Sequence, residues 1–198
     1  MNPLPFSGQT AYAIIFWATF SLWCMLENIG LLTKQSGDRL KSRDRGSSRL
    51  LMLLMWLGLA LGFTLSFELP QATMMWRRTL VFFVGITLML AGLAFRFYAM
   101  RFLGRSFTYD VAVQSGQTIV EAGPYRYIRH PSYTGALITL LGLGLALGNW
   151  AAVLAILACV GTAYAYRIFV EESALVAVLG EPYKRYMRRT RRLVPFLF

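Results

Sequence analysis

Five apolar runs, parted by short polar stretches, decide most of what this chain can become. They cover residues 10–32, 50–69, 79–98, 131–148 and 150–169. A helix needs about 20 apolar residues to cross a hydrocarbon core of about 30 Å, so the fourth run is slightly short and the others are long enough. In lipid every backbone amide must be satisfied internally, which makes these runs helices. The predicted fold is an all-α integral membrane protein. It has five transmembrane helices and a C-terminal interfacial helical segment, in one membrane domain over 1–198. Composition agrees: 57% of residues are hydrophobic and 15% are charged, against about 25% charged in soluble domains.

The formal net charge of +11 invites a nucleic-acid reading, but the pattern argues against it. Basic residues fall at the ends of apolar runs, not on one face of a soluble domain. Segment 33–49 holds Lys34, Arg39, Lys41, Arg43, Arg45 and Arg49, and segment 99–130 holds Arg101, Arg105, Arg126 and Arg129. Arg167 and the basic C-terminal segment lie on the same side. Only Arg77 and Arg78 fall opposite, and Arg96 lies near the inner end of the third run. The positive-inside rule then puts the N-terminus outside, with segments 99–130, 170–198 and the C-terminus in the cytosol. Because no Lys or Arg precedes Lys34, the first run reads as a retained span, not a cleaved signal. The loop 33–49, rich in Ser, Gly, Lys and Arg, is expected to be mobile, to face anionic lipid and to carry no chemistry.

Gly148-Asn149-Trp150 is too short for anything but an antiparallel hairpin of the last two runs. The foot of the fourth run, Gly123–Gly135, holds the sole His, His130. The end of the fifth holds Arg167, Glu171 and Glu172. The hairpin therefore makes neighbours of two polar clusters about 40 residues apart in sequence. Each residue also has a plainer reading. His130 beside Pro131 fits a helix start. Arg126 and Arg129 fit lipid phosphate. Glu171 and Glu172 fit a helix-start signal or an ion pair with Arg167. Glu27 and Asn28 lie inside the first run and are expected to pair with Arg96 or to line a cavity. Beyond the fifth run, Gly180 and Pro182 end one helix, and a short amphipathic helix over about Tyr183–Arg191 follows as a surface anchor or a lid.

Several chemistries are excluded. One His and two Cys in separate runs, Cys24 and Cys159, make neither a metal site nor a disulfide framework. There is no P-loop, no GxGxxG and no GxSxG.

The order of the remaining motifs resembles the isoprenylcysteine carboxyl methyltransferase and phospholipid methyltransferase superfamily. The residues that carry this are Leu103–Phe107; Gly123–Gly135 with its RHPxYxG; Arg167–Leu175 with its EExxL; Gly180–Tyr186; and Arg192–Pro195. The segment 107–110, Phe-Thr-Tyr-Asp, departs from the His-Asn type of the eukaryotic prenylcysteine enzymes and leaves the acceptor class open. The resemblance implies a membrane-embedded enzyme that uses S-adenosylmethionine in a pocket at the cytosolic face, built from the last spans and the cofactor-site segments 99–130 and 170–198, with a lipid-side opening for its acceptor.

The residue types suit that donor. Aromatic faces attract a sulfonium, which suggests Tyr125, Tyr127 and Tyr133. A carboxylate suits Arg or His, so Arg126, Arg129 and His130 are candidates for the methionine tail, with Pro131 beside them. Glu171 or Glu172 suits the amine or the ribose hydroxyls. Arg129, Arg167 and Glu172 are the catalytic candidates: an Arg to place a carboxylate nucleophile, or Glu172 or His130 to take a proton from an amine. Arg105, Glu27 and Asn28 are candidates for the acceptor. The expected activity is methyl transfer to a lipophilic membrane acceptor, first an isoprenylcysteine carboxylate, then a phospholipid amine or a small thiol. The rival readings are a non-enzymatic protein that binds lipid headgroups and, more weakly, a small transporter.

Overall fold

The structure is a computed structural model, and it describes residues 9–33, 44–104 and 119–194. Six α-helices follow in chain order: α1 Thr10–Thr33, α2 Ser47–Glu68, α3 Arg78–Leu103, α4 Pro131–Leu147, α5 Trp150–Leu179 and α6 Glu181–Arg189. Among the described residues there is no β-strand. Helices α1, α2, α3 and α5 are long and apolar enough to cross a membrane, while α4 is an apolar helix of 17 residues. The protein is a multi-pass membrane protein.

Glycine sets how close the helices come. α3 and α4 lie almost backbone to backbone. A Cβ at Gly92 would fall 2.5 Å from the Thr139 amide nitrogen, and one at Gly142 would fall 2.5 Å from the Gly85 carbonyl oxygen. Without a strong hydrophobic drive between helices in lipid, such small-residue contact is a main source of association. α2 uses the same device against α5, where Gly62 faces the Ile156 side chain. α1 packs chiefly on α3, and more sparsely than the other membrane helices pack on one another. It holds on mostly through rings: Tyr12 stacks on Phe82 and Trp17 on Phe63.

The α4–α5 hairpin turns on two residues. Gly148 takes the left-handed conformation that ends α4, with φ 69°. Asn149 is fully buried and caps α5, its side-chain oxygen accepting from the amides of Ala151 and Ala152. The Asn149 amide group also donates to the Leu69 carbonyl at 2.9 Å, which ties the end of α2 to the turn. Trp150 is exposed beside it, and so is Trp76.

At the opposite end, α5 continues past Phe169 to Leu179 as one helix. Glu171 and Glu172 are therefore mid-helix residues, and the helix-start reading of that pair is overturned. Gly180 at φ 62° then turns the chain into α6, whose start Pro182 favours.

Candidate active site

The site is built where α4 begins and α5 runs on. Gly123–Arg126 forms a 3-10 turn, and the chain then extends to His130. That extended piece pairs with residues after α6: Arg129 N donates to Arg191 O at 2.7 Å, Arg191 N to Tyr127 O at 3.0 Å, and His130 N to Arg192 O at 3.0 Å. Pro131 then starts α4 at a position that has no use for an N–H. His130 stands at the cap position but makes no side-chain cap bond. Its ring is turned inward and buried, so helix capping does not account for it.

Glu172 is the centre of the cluster. Its Oε1 accepts from Arg129 Nε at 2.7 Å and lies 3.4 Å from His130 Nε2. Its Oε2 accepts from Arg192 Nε at 3.2 Å. Arg129 is fixed further because Nη1 donates to the carbonyls of Met187 and Thr190, just inside and after α6. Thr190 and Arg192, which close the C-terminal segment onto the site, lie in the expected cofactor-site segment 170–198 but were not singled out as site residues.

A second chain of contacts runs through Tyr133. Its ring stacks on His130 with centroids 5.4 Å apart and 3° between planes. Its hydroxyl donates to Glu171 Oε2 at 2.7 Å and accepts from Arg167 Nε at 3.1 Å. Glu171 remains 32% exposed, whereas Glu172 is 5% exposed. Of the two carboxylates, only Glu171 is open enough to reach an incoming ligand.

Arg167 has a further set of partners. Nη1 meets Asp44 Oδ1 at 3.1 Å, Ser47 Oγ at 3.1 Å and Ser48 Oγ at 2.8 Å. The end of the α1–α2 connector, expected to carry no chemistry, thus anchors a site residue. Asp44 and the Ser47-Ser48 pair mark a helix start in the sequence, but not a partner on α5. Burial pushes the Asp44 carboxyl up, but hydrogen bonds from Ser47 and Ser48 and the charge of Arg167 outweigh it, leaving it below its ordinary range.

Tyrosines close the α6 side. Tyr186 donates to the Tyr125 carbonyl at 2.7 Å, and Tyr183 packs beside it. Tyr125 is buried, and its hydroxyl has no hydrogen-bond partner among the described residues. Burial, then the nearby carboxylate of Glu171, raises the Tyr125 hydroxyl well above its usual range, so it stays a neutral donor.

The structure therefore gathers Arg129, His130, Tyr133, Arg167, Glu171 and Glu172, with Tyr125 and Pro131 in the wall. Arg126 and Tyr127 are exposed and do not join them. Glu27 lies in α1 and pairs with Arg96 of α3, Oε1 to Nε at 2.6 Å. Asn28 turns back to donate to the Cys24 carbonyl of its own helix. Arg105 lies outside the described residues. Among the described residues no group of His, Cys, Asp and Glu is arranged to hold a metal.

Residues 84–177, from α3 to the end of α5, match the isoprenylcysteine carboxyl methyltransferase (ICMT) family. Over this region the chain resembles the ICMT family. Among curated relatives, the chain is 34% identical over 101 residues to a protein-S-isoprenylcysteine O-methyltransferase of Schizosaccharomyces pombe, covering 50% of this chain and 43% of that one. It is also 34% identical over 115 residues to the B enzyme of that name from Arabidopsis thaliana, covering 57% and 58%. The chain thus spans about half the length of the curated relatives it matches. A solved eukaryotic intramembrane Ras methyltransferase ICMT shares the fold, with a TM-score of 0.55 at 24% identity over 73% of this chain and 52% of that one.

Proposed function

We propose that this chain is an S-adenosylmethionine-dependent methyltransferase acting on a lipophilic membrane acceptor, with the carboxylate of an isoprenylated cysteine foremost. The observation that carries the reading is the buried Arg129–Glu172–His130 cluster, which lies within the region that matches the family. Ionisable groups at a membrane boundary are costly and need a function to keep them.

The residues fit the donor. His130 and Arg129 suit a carboxylate tail. The exposed edge of Glu171 suits an ammonium or ribose hydroxyls. The Tyr133 face suits a sulfonium, and the unpartnered Tyr125 hydroxyl offers a donor inside the wall. When bound, S-adenosylmethionine supplies a methyl group on an electron-poor sulfur. The protein aligns the acceptor with it and excludes water.

A carboxylate acceptor fits better than an amine. An amine must lose a proton, and Glu172 is a poor base while two guanidiniums and an imidazole crowd it. A carboxylate needs no base. Arg129 and Glu172 set the electrostatics of the pocket, and Arg167 acts through Tyr133. The reading includes the orientation: N-terminus outside, with the site and C-terminus cytosolic.

Calorimetry on the protein in detergent tests this. S-adenosylhomocysteine should bind, and His130→Ala and Glu172→Ala should abolish binding. No binding at millimolar ligand would sink the enzyme reading in favour of a lipid-headgroup binder.

A further inference from the structure

A carboxylate acceptor needs a cation to place it, and among the described residues three arginines beside the site have buried side chains: Arg96, Arg129 and Arg167. Two are each fixed by four partner atoms. Arg129 is held by two backbone carbonyls besides Glu172. Arg167 is held by Asp44, two serines and Tyr133.

Arg96 differs. Its Nη1 donates to the Ser132 carbonyl at 3.1 Å, which pins the guanidinium to the first turn of α4, between Pro131 and Tyr133. Its counter-charge comes from another helix: Glu27 of α1, with Oε1 at 2.6 Å from Nε and Oε2 accepting from Nη2 at 2.9 Å. Arg96 is 7% exposed and Glu27 is 20% exposed. Glu27 is therefore the more open member of the pair, on the sparsely packed helix. A carboxylate that approaches the pair from its open side meets Glu27 before Arg96.

We propose that Arg96 is the acceptor-carboxylate site, and that Glu27 is its resident stand-in, displaced by the acceptor and restored when product forms. This rests on the carboxyl-methyltransferase reading above. The ligand class is a carboxylate attached directly to a lipid chain. A buried guanidinium left without a counter-charge is strongly unfavourable, so Glu27 keeps the empty site charge-balanced. Transfer forms a bond from a carboxylate oxygen to the methyl carbon and breaks the methyl–sulfur bond. The sulfonium becomes a thioether, the carboxylate becomes a neutral ester, and no proton moves. The ester no longer balances Arg96, so Glu27 re-pairs and product is released toward lipid.

The test uses the full chain in detergent with S-adenosylhomocysteine present. The probes are N-acetyl-S-farnesyl-cysteine and its methyl ester, and binding is read by calorimetry. Wild type should bind the acid better than the ester. Glu27→Gln weakens the internal competitor, so acid affinity should rise by about fivefold or more while ester affinity stays within about twofold. Arg96→Gln should erase the preference for acid, and Arg96→Lys, which keeps the charge, should restore part of it. Equal or weaker acid binding by Glu27→Gln overturns the exchange, and an unchanged acid preference in Arg96→Gln overturns the Arg96 site. If wild type binds S-adenosylhomocysteine but neither binds nor methylates the acid, the acceptor reading falls and the Arg96 site falls with it. If it methylates the acid and Glu27→Gln gains nothing, the exchange alone falls.

Discussion

Glu172 Oε1 accepts from Arg129 Nε at 2.7 Å, although 43 residues separate them. Arg129 precedes α4, and Glu172 lies in the part of α5 beyond its apolar run. The hairpin at Gly148-Asn149 brings them together, and the C-terminal segment completes the cluster through Arg192. The pair thus reports on the whole closed end of the bundle.

Glu172→Gln should therefore be severe. It leaves the size unchanged but removes the one buried negative charge facing Arg129 and Arg192. Breaking a buried pair on one side typically costs about 3–5 kcal/mol. The expected outcome is loss of S-adenosylhomocysteine binding by about 100-fold or more, with a lower thermal midpoint in detergent. Near wild-type affinity would show that Glu172 does not hold the ligand site in shape.

Asp44 gives a test with a pH sign. Its folded carboxyl lies below the ordinary range, because Ser47, Ser48 and Arg167 outweigh burial. A depressed folded value means the contribution to stability is complete above the unfolded value of about 4. It disappears as pH falls through the lower folded value. Asp44→Asn should be less stable than wild type at neutral pH, and the gap should narrow below about pH 4. Thermal midpoints measured across that range check this. A gap independent of pH would mean that the Asp44 charge is not what binds α2 to α5.

Gly92→Ala tests the α3–α4 contact. The added Cβ would lie 2.5 Å from the Thr139 amide nitrogen and 2.6 Å from the Gly135 carbonyl oxygen. Both are backbone atoms and cannot rotate away. Overpacking of this kind costs about 1–3 kcal/mol or more, and separating the helices would also pull Arg96 from the Ser132 carbonyl. The expected result is a clear fall in thermal midpoint in detergent. Gly161→Ala is the control, since a Cβ there meets nothing within 4 Å.

What the sequence revealed and what it hid follow from range. Apolar length and the two-residue turn at Gly148 act locally, so the helices and the last hairpin were readable. Once the hairpin was placed, His130 and Glu172 had to meet. Partners from other elements were hidden. Nothing near Asp44 signals Arg167, and nothing near Arg192 signals Glu172, because each pairing depends on how a connector folds back. Arg126 misled for the opposite reason. It sits in the right motif, but the 3-10 turn leaves it outside. The end of the fifth apolar run at Phe169 marked where hydrophobicity stops, while the helix itself continues to Leu179.

Tyr133→Phe separates ring from hydroxyl. The hydroxyl links Arg167 to Glu171, while the ring stacks on His130 and lies 4.8 Å from the Tyr164 ring. Without it, Arg167 keeps Asp44, Ser47 and Ser48, and Glu171 is exposed enough to take water instead. Stability should therefore fall by only about 1 kcal/mol. Glu171, no longer held in place, should cost ligand affinity more: about tenfold for S-adenosylhomocysteine, or about 1.4 kcal/mol. Tyr133→Leu removes the stack as well and should lose both stability and binding. Calorimetry and thermal unfolding on the same preparations separate the cases. If Tyr133→Phe binds like wild type while Tyr133→Leu does not, the ring alone matters and the Arg167–Tyr133–Glu171 chain has no part in binding.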